Sequence, residues 1–173
     1  LIQAYRDKNP RVHETAFVAE NATVVGDVVI GPHASVWFGS VIRADVHFIR
    51  IGARTNIQDL TVMHVNHGRN PTILDEDVTV GHRVILHGCH VKSGSLIGMG
   101  AVLLEDVVVE ERAFVAAGSV VSPGTIVPSG KLARGVPARV VRDLTEEEIS
   151  ELKRAAESYC ELKDEYLRQG RLP

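Results

Sequence analysis

The sequence predicts an all-β solenoid followed by one C-terminal α-helix, and three observations carry that expectation. An apolar side chain recurs at every sixth position, small residues and glycines fill the intervals, and the period stops before a stretch with helical spacing. A period of six fits neither the 3.6-residue helix nor the two-residue strand. Repeats of fixed length mark a solenoid, in which each unit buries its apolar face only by stacking on its neighbours.

The register opens at Val12, Val18, Val24, Ile30, Val36 and Ile42. After a short insertion at 48 to 50 it runs through Ile51, Ile57 and Met63, and a second insertion lies within 66 to 72. The register then continues as Ile73, Thr79 (the one polar exception), Ile85, Val91, Ile97, Leu103, Val109, Val115, Val121 and Val127. Each step reads as a short strand and a corner, so three steps close a triangular coil of about eighteen residues. Successive coils then lie about 4.8 Å apart.

Counting prism faces along this register places chemistry. Ile42, Met63 and Ile85 begin segments on one face, which carries Arg43, Asp45, His64 and His87 in consecutive coils. Ile57 and Thr79 open segments on the preceding face, with Gln58, Asp59 and His82. Three imidazoles split over two faces of a convex prism cannot meet within one chain. A second copy supplies the third if prisms pack side by side in a cyclic trimer. Three imidazoles with an open fourth position form the donor set of a catalytic zinc site.

The repeat ends after Val127 in Pro128-Ser129-Gly130-Lys131 and the Gly135-Val136-Pro137-Ala138-Arg139 segment. A helix is expected from Glu146 to Gln169, capped by Thr145 with Glu148 three residues on and ended by Gly170. Ile149, Leu152, Ala156, Tyr159, Leu162 and Tyr166 form its apolar stripe, expected to pack along the prism or a neighbouring subunit and to shield terminal coils from edge pairing. The chain thus divides into a solenoid over 1–140 and a helical appendage over 141–173.

Arg43-Ala44-Asp45, Asn56-Ile57-Gln58-Asp59, His64 and the run Gly81-His82-Arg83-Val84-Ile85-Leu86-His87-Gly88 resemble the γ-class carbonic anhydrase family. The resemblance spans nearly the whole chain and is closest to its short prokaryotic branch, described as carbonic-anhydrase-like or ferripyochelin-binding-like. It implies the left-handed parallel β-helix of hexapeptide-repeat proteins, whose hand opposes the general crossover rule. It also implies a homotrimer with His64, His82 and His87 as metal ligands at subunit interfaces. Zinc there lowers the pKa of its water from ~15.7 to about 7, giving a hydroxide that adds to carbon dioxide to form bicarbonate. By the same resemblance Asp45 and Gln58 orient hydroxide and substrate, Arg43 pairs with Asp59 of the neighbour, and Tyr159 reaches the site. Iron(II) and cobalt(II) accept the same three imidazoles.

The chain departs from the pattern where proton transfer is concerned. The well-characterised enzymes carry glutamates there, whereas Val46 follows Asp45 and Asn66-His67-Gly68-Arg69-Asn70 has no carboxylate. His67, whose imidazole titrates near neutrality, is the candidate replacement. Asn56 is a candidate catalytic residue as well, and ordinary roles stand beside these: Asn56 as a corner or ladder residue rather than a substrate contact, Gln58 as ladder or substrate contact, Arg43 and Asp45 as a surface ion pair, Trp37 as packing. His13, His33, His47 and His90 have no ligand role.

A coenzyme-A-linked acyltransferase is the rival reading, because such enzymes share the prism and a similar Gly135–Arg139 exit; they need one histidine base and no metal trio. A metal-dependent acyl-CoA thioesterase and a non-catalytic metal-binding trimer are further alternatives. Composition fits a cytoplasmic assembly. The 173 residues carry a net charge of −3, with no basic patch for nucleic acid or anionic membrane. No charged-then-apolar leader or long apolar run is seen. The two cysteines, Cys89 and Cys160, are expected as free thiols.

Overall fold

Most strands of this chain are two or three residues long, too short to persist except by pairing with the coils before and after. The computed structural model describes residues 1–170 and shows how they pair: a parallel β-solenoid of about seven turns with one C-terminal helix. The first face stacks Ile2–Gln3, the first halves of Thr23–Ile30 and Val41–Ile51, then Val62–His64, Ile85–His87, Val102–Leu103 and Val120–Val121. The second stacks Arg11–Val12, the second halves of the same two long strands, Thr72–Leu74, His90–Val91, Val108–Val109 and Ile126–Val127. The third runs from Phe17–Val18 through Ser35–Val36, Asn56–Ile57, Thr79–Val80, Leu96–Ile97 and Phe114–Val115 to Lys131–Gly135.

Inward side chains form vertical stacks along the axis. On the first face Val24, Ile42, Met63, Leu86, Leu103 and Val121 sit in register, and all are fully buried. Burying each such side chain is worth about 1.5–3 kcal/mol, against about 0–1 for an exposed ion pair. The stacks therefore hold the prism together, and the many surface salt bridges decorate it.

The structure corrects the register in the middle of the chain. Leu74, Val80 and Leu86 point inward, while Ile73 is half-buried and Ile85 is 44% exposed. Thr79 is therefore no exception, since Val80 fills the core position beside it. Apolar pairs such as Ile73-Leu74 and Ile85-Leu86 satisfy either register. A five-residue step from Leu86 to Val91 restores the phase. The faces themselves survive the correction, because Met63 stacks on Leu86 and His64 on His87.

Glycine is required where one coil crosses the next. A Cβ on Gly52 would lie 2.4 Å from the Asp75 carbonyl carbon, and one on Gly98 2.4 Å from the Ala117 nitrogen. At the solenoid's C-terminal end Ala138–Asp143 turns back antiparallel on Lys131–Gly135. A division at 140/141 would thus cut a strand; the passage to the helix lies at Leu144-Thr145, and residues 171–173 fall outside the described chain.

Helix α1, Glu146–Gln169, lies on its own chain's third face, against Ser35–Val36, Asn56–Ile57 and Thr79–Val80. Its start is the expected capping box: the Glu148 N–H donates to Thr145 Oγ1 at 3.1 Å, and the Thr145 N–H to Glu148 Oε2 at 2.9 Å. Leu152 packs with Leu132 and Leu144, and Tyr159 and Tyr166 meet Trp37 edge-on at 5.5 and 5.2 Å. The stripe differs from expectation at one place. Leu162 is 38% exposed and Lys163 is 1% exposed, because the helix's buried residues are Leu152, Ala156 and Lys163, four and seven residues apart on one face. The Lys163 ammonium pairs with Asp164. Among the described residues no helix is long and apolar enough to cross a membrane. Both cysteines are free, and burial pushes the Cys89 thiol up to about 12, which keeps it inert.

Two outcomes are expected. Gly52→Ala must push neighbouring backbone apart and should cost more than ~3 kcal/mol in urea unfolding. Gly118→Ala, with open space but φ +68°, should cost only about 1–2; equal costs would mean that coil spacing is not the constraint. Arg142 holds the Glu148 carboxyl near about 2 through paired hydrogen bonds of 2.7 Å, helped by the Thr145 N–H. A depressed carboxyl stabilises above its unfolded pKa and loses that contribution as pH falls through the folded one. The Glu148 carboxyl resonance should therefore titrate near pH 2, and Arg142→Ala should return its midpoint to the ordinary glutamate range.

Candidate metal centre

Stacking in register sets one histidine above another. His64 and His87 are direct partners in adjacent parallel strands, so their side chains leave the first face one coil apart. Their ring centroids are 5.3 Å apart, and His64 Nδ1 faces His87 Nε2 at 3.2 Å. Each ring is held from its other side. His64 Nε2 lies 2.9 Å from Asp45 Oδ1, and His87 Nδ1 lies 3.0 Å from Glu105 Oε1.

For neutral rings these contacts assign the protons. An ionised carboxylate only accepts hydrogen bonds, so the bonded nitrogen of each neutral imidazole carries the N–H. The two nitrogens facing each other are then both lone pairs, a repulsive arrangement unless a proton or cation lies between them. Two bonds of 2.0–2.1 Å at the tetrahedral angle hold their nitrogens about 3.3 Å apart. The observed 3.2 Å fits that edge, and the donor chemistry suits a zinc-like ion.

Asp45 is the pivot of this half of the site. Burial raises its pKa, but hydrogen bonds from His64 and Arg43 together with the Arg43 charge outweigh that and bring it below the ordinary value. Arg43 thus pairs with Asp45 in its own chain. Asp45 and His67 also line one cavity of about 310 Å³, with Tyr5, Arg6 and His47 on its rim.

His82 is elsewhere. It occupies the turn between Thr79–Val80 and Ile85–His87, which puts it on the corner after the third face rather than on the face itself, at the opposite edge of the first face from His64 and His87. Its Nδ1 lies 2.8 Å from Asp59 Oδ2, so each of the three histidines has a carboxylate behind it. Gln58 and Asn56, next to Asp59 in sequence, are tied down: Gln58 Nε2 donates to Asn56 Oδ1 at 3.2 Å, and Asn56 Nδ2 to Thr79 Oγ1 at 2.9 Å. With Asn56 1% and Gln58 7% exposed, this is the side-chain ladder, packed on the face that α1 covers. Tyr159 stands close by; burial raises its pKa, and the Asp59 charge raises it further.

The expected residues therefore fall into two groups. Arg43, Asp45, His64, His67 and His87 gather at one edge; Asn56, Gln58, Asp59, His82 and Tyr159 gather at another. Among the described residues no three His, Cys, Asp or Glu side chains converge as a metal-holding group within one chain. Sequence reasoning missed Glu105 and treated the neighbourhood as short of carboxylates. The signal was available: Glu105 stands eighteen residues, one coil, beyond His87.

Comparison with known proteins places this geometry. No family model matches the chain. Gamma carbonic anhydrase 2, mitochondrial, of Arabidopsis thaliana is 47% identical to it over 161 residues, covering 90% of this chain and 58% of the relative. The chain spans about three fifths of the length of that protein and of a second Arabidopsis relative. Carbonic anhydrase of Geobacillus kaustophilus is 46% identical over 93% of this chain and 88% of its own length. A crystal structure from Bacillus cereus, provisionally named an acetyltransferase, superposes with a TM-score of 0.94 at 44% identity over 95% of both chains. A relative at this identity, matched along most of its length, shares ancestry and fold with this one, and on that ground the chain belongs to the γ-carbonic anhydrase family.

Proposed function

We propose that this protein is a metal-dependent carbonic anhydrase, catalysing the reversible hydration of carbon dioxide at sites shared between subunits of a homotrimer. One observation carries the reading: two imidazole nitrogens, His64 Nδ1 and His87 Nε2, each with a carboxylate behind its ring, face each other at 3.2 Å. Membership of the family supports the reaction. The ion, zinc in preference to iron or cobalt, supplies Lewis-acid activation of water at neutral pH when bound.

His64 and His87 of one subunit provide two ligands, and His82 of another provides the third. Val62 and Ile85, 41% and 44% exposed on the first face, give the second subunit an apolar surface to cover. In the assembled trimer Gln58 and Asp59 arrive with His82. Asp59 there meets Arg43, whose guanidinium is half exposed in the single chain. Asp45 holds His64 and stands where substrate approaches, and His67 accepts a proton across the cavity it shares with Asp45. Solution in the cytoplasm is the compartment this reading assumes.

Acyl transfer from coenzyme A is the second reading, favoured by the provisional name of the Bacillus cereus relative. Thioester hydrolysis by the same metal site, or metal storage without chemistry, would leave the ligands intact. Stopped-flow hydration with metal content measured on the same anaerobically purified samples separates these. His64→Ala and His82→Ala should each lose the metal and at least about 100-fold in rate. Metal without hydration would sink the reaction and leave the site.

Sharing has its own test. Refolding His64→Ala with His82→Ala chains should restore about a quarter of the sites, since one interface in four then combines an intact pair with an intact third ligand. No recovery would place the whole site inside one chain. For His67→Ala the expectation is a slower rate in dilute buffer that added imidazole restores; an unchanged buffer dependence would dismiss its role.

A further inference from the structure

Glu105 is the carboxylate for which neither the repeat nor the family motifs assign a role. It occupies the corner after Val102–Leu103 and reaches back one coil to His87 Nδ1 at 3.0 Å. Its own place is over-determined. Its backbone carbonyl accepts from the Gly124 N–H at 2.9 Å, and the nearby Asn66 side chain helps to lower the pKa of its carboxyl. The adjacent Asp106 accepts from Asn70 at the far end of the same insertion. One corner thus holds both His87 and the loop that carries His67.

We propose that Glu105 is a positioning residue for the metal centre: it accepts the His87 Nδ1 proton, locks that tautomer, and keeps the Nε2 lone pair turned towards His64. The inference rests on the metal reading above and deepens it. A neutral imidazole carries one proton and one lone pair. Without an acceptor at Nδ1, the proton is free to occupy Nε2, where it blocks the donor that faces His64. The ring is also free to turn about its side-chain bonds. Carboxylates behind ligating histidines typically account for 10–100-fold in metal affinity.

A rival role for Glu105 is to tether the 66–70 insertion, with His87 merely adjacent. Asn70→Ala removes one tether of that loop and leaves the Glu105–His87 contact untouched, so the two roles give different patterns.

The experiment uses the full chain stripped of metal. Zn²⁺ affinity is read by chelator competition, and the His87 tautomer by long-range nitrogen-proton correlation on the metal-free protein. Wild type should bind Zn²⁺ and show His87 protonated at Nδ1. Glu105→Ala should lose that signature and 10–100-fold in affinity; Glu105→Gln, which keeps an acceptor oxygen without the charge, should fall between. Asn70→Ala should stay within about threefold of wild type. Wild-type affinity in Glu105→Ala, or an Nε2–H tautomer in the wild type, would overturn the role of Glu105 while leaving the metal site standing. A loss in Asn70→Ala equal to that in Glu105→Ala would assign the effect to the loop and overturn it too. A wild-type protein that takes up no Zn²⁺ would instead remove the metal reading, and this inference with it.

Discussion

Every feature of this molecule depends on the close vertical approach of one coil to the next. The strands are too short to be stable alone, and their inward Val, Ile, Leu and Met side chains leave water only by stacking on those above and below. The same approach leaves no room for a Cβ at Gly52, Gly81 or Gly98, where backbone atoms of the next coil would lie under 3 Å away. Spacing thus constrains composition in both directions: large apolar residues inside, glycine where coils cross. The surface is freer, which is why it can carry chemistry.

A fixed stack also acts as a ruler for side chains. Residues one coil apart are held as parallel-strand partners, so His64 and His87 cannot drift in register without shifting Met63 against Leu86, and that shift would break the core. The core therefore pre-organises the two donors, and Asp45 and Glu105 then select which nitrogen each one offers. This division of labour is economical: hydrophobic packing sets position, hydrogen bonding sets protonation. Neither alone yields a pair of facing lone pairs.

Much of this was legible in the sequence, for physical reasons that also explain the errors. A six-residue period is rare enough to name the architecture, and the capping box at Thr145 and Glu148 locates the helix to the residue. Arg43, Asp45, His64 and His87 could be placed on one face because a whole coil shifts all of them together. The register at Ile73, Thr79 and Ile85 was illegible, because adjacent apolar residues satisfy two phases and the five-residue step to Val91 conceals the choice. Lys163 was missed because charge argues for solvent, although the lysine's long stem lets it occupy an inward helical position. Glu105 escaped because its partner is a coil away, where only the folded period brings it near.

Convexity explains why His82 stands apart from His64 and His87. On a convex prism the surface side chains of different edges diverge, so among the described residues no three His, Cys, Asp or Glu side chains converge within one chain. Helix α1 closes the third face from within, burying Asn56, Gln58 and Thr79 and bringing Tyr159 near Asp59. Of the two faces that α1 leaves open, the first is bounded by His64 and His87 at one edge and His82 at the other, with an apolar row of Val62 and Ile85 between them. In the proposed assembly the missing wall, with its matching histidine, would be the far edge of an identical chain. In the proposed trimer, assembly and ligand binding become one equilibrium, because each subunit would hold two donors of one site and the single donor of another. An ion bound to all three would stabilise the trimer by the free energy it gains from the third imidazole, and a dissociated subunit would hold it only through the His64–His87 pair.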